Sequence, residues 1–138
     1  MKGIADTGFL VAFANARDAH HDWAVSVAQR VTEPLLTCEA VLAEAAFHLG
    51  NVSLVLDMIE TGLITLAFQG KDHLPHLSVL AERYRDRSPD FADLCLIRMS
   101  ELYPHHSVIT VDCEDFQTYR RNKREVIPVC TPVGKNSR

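Results

Sequence analysis

The sequence predicts an α/β fold with a central, mainly parallel sheet of four to five strands. Short apolar runs alternate along the chain with longer segments whose apolar residues recur at helical spacing. The runs are separated by Gly, Pro and Asn breaks, with no internal repeat. Two aspartates, Asp6 and Asp112, each stand directly after a short apolar run. That is where open parallel sheets collect functional groups, beyond the carboxyl ends of their strands.

The first strand is expected from Gly3 to Asp6, followed by a helical stretch carrying Phe9, Leu10, Val11 and Phe13. Asp18 is placed to cap a second helix, with Trp23, Val27 and Val31 at helical spacing. Glu33-Pro34 ends it, and Leu35 to Cys38 reads as a strand. Glu39 to Leu49 reads as a helix closed by Gly50, and Ser53 to Glu60 as another ending near Gly62. Ile64 to Phe68 is a strand, and His73 to about Asp86 a helix with Pro75 in its first turn. Ser88-Pro89 supplies an N-cap and a first helical proline for a helix to about Leu102. Ser107 to Thr110 is a strand, Asp112 opens a short helix through Tyr119, and Val126 to Val129 is the last strand.

A chain of 138 residues with 47% hydrophobic and 23% charged content fits one domain with one core. The domain is expected over 1–132, with a polar tail over 133–138. The formal net charge of −4 argues against a pure nucleic-acid-binding module, which normally carries a basic excess. It is compatible with acids that hold cations, since a bound metal reverses the local charge. Cys38, Cys95, Cys113 and Cys130 form no C-x-x-C pair, so neither a zinc knuckle nor a redox motif is indicated. With no secretory apolar region near Met1 and no run long enough to span a bilayer, a soluble cytoplasmic protein is expected.

The acids carry the chemistry. Asp6 and Asp112 each have a plain alternative role as the N-cap of the helix that follows. Glu44 is set among Ala40, Val41, Ala43, Ala45, Ala46 and Phe47, where an ionised carboxylate is costly unless paired or metal-bound. His48, four residues on, is one available partner. Asp93 is followed by four apolar residues and shares a helix face with Asp90, which also suits a first-turn role. Two carboxylates about 4 Å apart repel by about 4 kcal/mol at an effective dielectric near 20. A cluster of four therefore calls for raised pKa values or cations, and hard Mg²⁺ or Mn²⁺ suit carboxylate ligands. Such ions serve phosphodiester hydrolysis by activating water and clamping the attacking and leaving oxygens.

Asp6-Thr7, an isolated Glu44 in an apolar helix, Asp93 early in a helix and Thr110-Val111-Asp112 before Asp115-Phe116 occur in that order. In this the chain resembles the PIN domain, most closely the compact prokaryotic kind found in VapC toxins, from Gly3 to about Val129. The resemblance implies a three-layer α/β/α sandwich and a PIN-like nuclease domain over 1–132. It implies that Asp6, Glu44, Asp93 and Asp112 are the catalytic and metal-holding tetrad for one or two Mg²⁺ or Mn²⁺ ions. Thr7 and Thr110 would position the first and last acids, with Asp115 and Asp90 as auxiliary acids. The activity implied is endoribonuclease cleavage of RNA by the toxin of a type II toxin–antitoxin pair. Such a toxin is restrained by a small antitoxin protein and forms a homodimer. Leu94 directly after the third acid, where the family often has a small residue, and Gly3 within the first strand depart from the pattern.

Arg120, Arg121, Lys123 and Arg124 form a basic run that either contacts RNA phosphates or is a solvated face. Arg83, Arg85 and Arg87 are placed to line the same rim. The seven histidines include no H-E-x-x-H motif. Two other classes compete with the nuclease: a non-catalytic PIN domain acting as an RNA- or protein-binding scaffold, and a phosphoacceptor receiver domain. The intact acid set speaks against the first; the single acid after the first strand and the missing Lys speak against the second. Metal chemistry alone does not separate RNA from DNA; contacts to the 2′-OH do.

Overall fold

The computed structural model describes residues 1–132, so the polar tail expected over 133–138 lies outside the described residues. The described chain is an α/β/α sandwich. Its elements run β1 (Gly3–Ala5), α1 (Thr7–Ala14), α2 (His21–Arg30), β2 (Leu35–Thr37), α3 (Glu39–Leu49), α4 (Val52–Glu60) and β3 (Ile64–Leu66). They continue with α5 (Leu74–Arg83), α6 (Phe91–Leu102), β4 (Ser107–Ile109), α7 (Cys113–Thr118), β5 (Arg120–Arg121), β6 (Glu125–Val126) and β7 (Val129–Cys130).

The main sheet has the order β3-β2-β1-β4-β7, and every neighbouring pair is parallel. Ile4, Leu35, Val108 and Ile109 are fully buried, as parallel strands covered on both faces must be. The chain moves outward from β1 through β2 to β3, then returns to β4 on the opposite side of β1. Right-handed crossovers therefore put the helices of the two halves on opposite faces. The reversal opens a crevice between the carboxyl ends of β1 and β4, where such sheets bind ligands. A β-carbon on Gly3 would collide with the Ile109 and Leu35 side chains, so glycine lets β1 sit close to its neighbours. No helix among the described residues is long and apolar enough to cross a membrane.

Several boundaries differ from the sequence expectation. Asp18 does not cap α2; its carboxylate accepts from the His20 amide at 2.8 Å and closes a turn one step earlier. The helix expected over 73–86 is an α-helix flanked by 3-10 turns at Gly70–His73 and Arg85–Arg87. Ser88 is not the cap of α6. It takes a left-handed conformation (φ 47°) that ends the preceding turn, and Asp90 caps α6 by accepting from the Asp93 amide at 2.8 Å. The strand expected over 126–129 is two pieces. Glu125–Val126 pairs back on Arg120–Arg121 as an antiparallel hairpin, and Val129–Cys130 joins the main sheet. Pro128, which has no amide hydrogen to give a ladder, stands between the two pieces.

Candidate active site

The crevice is a cleft of about 510 Å³ lined by Asp6, Asp18, Glu44, Asp90, Asp93 and Asp112, together with Thr7, His20 and His48. Among the described residues it therefore holds six carboxylates, and its lining includes neither Lys nor Arg. Four elements converge to make it. β1 ends at Asp6, α3 presents Glu44, the amino end of α6 presents Asp90 and Asp93, and Asp112 caps α7 just beyond β4. A β-carbon on Gly8 would strike Val111, so glycine allows the start of α1 to press against the segment carrying Asp112.

Asp6 is the most enclosed acid, at 8% exposure. Its amide donates to the Ile109 carbonyl at 3.0 Å, which locks it to β4. Its carboxylate accepts from the Thr7 amide and from the Thr110 hydroxyl, each at 2.7 Å. The Thr110 hydroxyl in turn accepts from the Asp112 amide at 2.8 Å, so one buried threonine ties the first acid to the backbone of the last. The Thr7 hydroxyl does not serve Asp6; it donates to Glu44 at 2.7 Å across to α3. Each threonine thus braces an acid that arrives on a different element. His48 shares the cleft and eases the charge on Glu44, but the hydrogen bond to that acid comes from Thr7.

Burial, first of all, drives the acids toward protonation. It raises Asp6 to about 6 against the hydrogen bonds from Thr110 and Thr7, with Asp112 and Glu44 adding repulsion. It raises Asp93 to about 7, helped by the charges of Asp90 and Asp6. Glu44 is raised by burial and by Asp90, against the pull of Thr7, and Asp112 by burial and its bond with Asp115. Asp6 thus lies within electrostatic reach of Glu44, Asp93 and Asp112, and Asp90 within reach of Glu44 and Asp93. Among the described residues, no three ligating side chains are drawn together at metal-ligand spacing; the acids stand around the cleft.

Asp115 lies beside the cleft. Its amide donates to Asp112 at 3.3 Å and its carboxylate is 3.9 Å from Arg87. The basic run separates into two groups. Arg121 is buried at 7% exposure, where it pairs with Glu125 and donates to the Ser100 and Pro104 carbonyls at 2.7 and 3.1 Å. Arg120 turns back on the end of α7, donating to the Tyr119 carbonyl at 3.0 Å. Only Lys123 and Arg124 of that run are exposed.

One contributor was not anticipated from the sequence. Tyr119 is fully enclosed, and its hydroxyl donates to Asp93 at 3.2 Å. It is packed edge-on against both Phe116 and Tyr84. Nothing in the local sequence distinguishes this tyrosine from an ordinary core aromatic; its partner is 26 residues away. Neither a protein-family model nor a curated protein matches the chain.

Proposed function

We propose that the protein is a metal-dependent endoribonuclease of the PIN type, hydrolysing RNA phosphodiesters at Asp6, Glu44, Asp93 and Asp112. The observation that carries this reading is a cleft that, among the described residues, has six carboxylates and neither Lys nor Arg, at the point where the strand order reverses. Such a concentration of negative charge is suited to hard divalent cations, and its donors are all oxygen. Asp6, Glu44, Asp93 and Asp112 would hold Mg²⁺ or Mn²⁺, which supplies Lewis acidity toward phosphate oxygens and lowers the pKa of a ligated water.

The chain's own groups do the positioning. Thr110 fixes the rotamer of Asp6, Thr7 that of Glu44 and Tyr119 that of Asp93. Locked rotamers keep the acids aimed into the cleft rather than at solvent. The narrower elements of the proposal are RNA as substrate, a toxin role, a small antitoxin partner, a homodimer and a cytoplasmic location. They are supported by the resemblance of the acid order to VapC-type PIN domains. The test is cleavage of single-stranded RNA by the purified protein with Mg²⁺ or Mn²⁺, abolished by chelator and by Asp6→Asn or Asp93→Asn. Cleavage that survives either substitution refutes the assignment of the acids. A calorimetric titration showing no metal binding would favour the non-catalytic scaffold.

A further inference from the structure

A second groove, of about 400 Å³, lies between α5 and the β5–β6 hairpin. Its apolar walls are Pro75, Val79 and Leu80; Arg83 and Lys123 also line it. Arg98 and Glu101 are present too, but they pair at 3.0 Å, and the second oxygen of Glu101 accepts from the Asn122 amide at 2.7 Å. Their charges cancel. Among the described residues Arg83 and Lys123 make no ion pair; the Arg83 guanidinium sits over the Tyr84 ring at 5.9 Å. The groove is therefore net cationic in a protein of net charge −4.

Two further observations place its Arg83 end near the acid cleft. Tyr84 packs edge-on against Tyr119 with centroids 5.1 Å apart, and Tyr119 bonds Asp93. A single pair of rings thus separates Arg83 from the third acid. On the outer side, Arg87 reaches Asp115, the neighbour of Asp112. The hairpin also carries a conformational cost. Asn122 and Lys123 take φ of 48° and 73°. Asn tolerates this region, whereas a long side chain there is strained. The strained backbone holds Lys123 at the groove.

We propose that this groove is a binding track for the strand that the acid cleft cuts, with Arg83 and Lys123 contacting backbone phosphates on one side of the scissile bond. The apolar walls take the bases and the cations take the phosphates, a division that matches single-stranded nucleic acid. The proposal rests on the nuclease reading, because the strand must continue into the acid cleft.

The test uses the full chain carrying Asp93→Asn, so that bound RNA is not cut. Fluorescence anisotropy then reads the affinity for a single-stranded RNA oligonucleotide across a salt series. Combining Arg83→Ala with Lys123→Gly weakens binding by about tenfold and reduces the salt slope by about 1.4, two contacts at about 0.7 each. Lys123→Gly alone raises the melting temperature, because glycine relieves the left-handed backbone, so its loss of affinity is not misfolding. Lys123→Arg retains the affinity. In the cleaving protein, the double variant lowers kcat/KM on long RNA but not on a dinucleotide that spans only the scissile bond. An unchanged Kd and salt slope overturn the track and leave the nuclease reading standing, as does an equal loss on the dinucleotide. Failure of the unaltered chain to cleave any RNA overturns the nuclease reading, and the track with it.

Discussion

Asp93→Asn separates stability from function at a single atom. Asp93 is raised from an ordinary 3.8 to about 7, by burial first and then by Asp90 and Asp6. The native protein therefore keeps a proton on Asp93 up to about pH 7, while the unfolded chain gives it up near 3.8. The native state binds the extra proton, so this group's contribution to stability falls as pH rises from about 4 to about 7. A displacement of that size corresponds to about 4 kcal/mol, and because Asp93 is half-buried, solvent screening brings the realised figure to about 2 kcal/mol. Asparagine is neutral at every pH and still accepts the Tyr119 hydrogen bond. In chelator near pH 8 the variant is expected to melt higher by about 6–8 °C. Near pH 5, only about one unit above the unfolded value of 3.8, the difference shrinks to less than half of that. Adding Mg²⁺ or Mn²⁺ stabilises the unaltered protein and leaves the variant little changed. Thermal unfolding at the two pH values, with and without metal, measures all of this. A variant less stable near pH 8, or a gain just as large near pH 5, refutes the account of Asp93 as a buried, repelled acid.

Thr110→Val removes the hydroxyl that holds both Asp6 and the Asp112 amide; urea unfolding is expected to show a loss of about 2–3 kcal/mol, with RNA cleavage reduced further than unfolding explains. Tyr119→Phe keeps the ring between Phe116 and Tyr84 and deletes only the bond to Asp93. The stability loss should be about 1 kcal/mol, with weaker metal binding by calorimetry and a lower kcat at unchanged KM for RNA. Arg121→Ala leaves the Ser100 and Pro104 carbonyls without their donor; it is expected to cost about 2–3 kcal/mol in stability while RNA affinity, measured where the variant is folded, stays the same.

Much of the architecture is local and was legible in order. Alternating apolar runs and helical spacing place the parallel strands, and Gly50 stops α3 where a left-handed residue is needed. Glu44 and Asp93 stand out because a carboxylate among apolar neighbours needs a reason that sequence alone makes visible. The C-terminal region was less legible. The hairpin of Arg120–Arg121 with Glu125–Val126 has strands of two residues, too short to show any periodicity. Ser88-Pro89 carried a helix-start signal, yet Asp90 won the cap because its carboxylate reaches the Asp93 amide.

By itself the sequence determined which acids exist, in what order, and that the strands feeding two of them run parallel. Only the tertiary structure decided how those acids are held. Thr110 bonds Asp6 across 104 residues, Thr7 bonds Glu44 across 37, and Tyr119 bonds Asp93 across 26. It also decided that Arg121, one of four adjacent-looking basic residues, is buried among backbone carbonyls while Lys123 stands at a groove. Hydrogen bonds and burial depend on which surfaces meet when the sheet closes, and sequence periodicity reports a residue's own face without naming what lies opposite it.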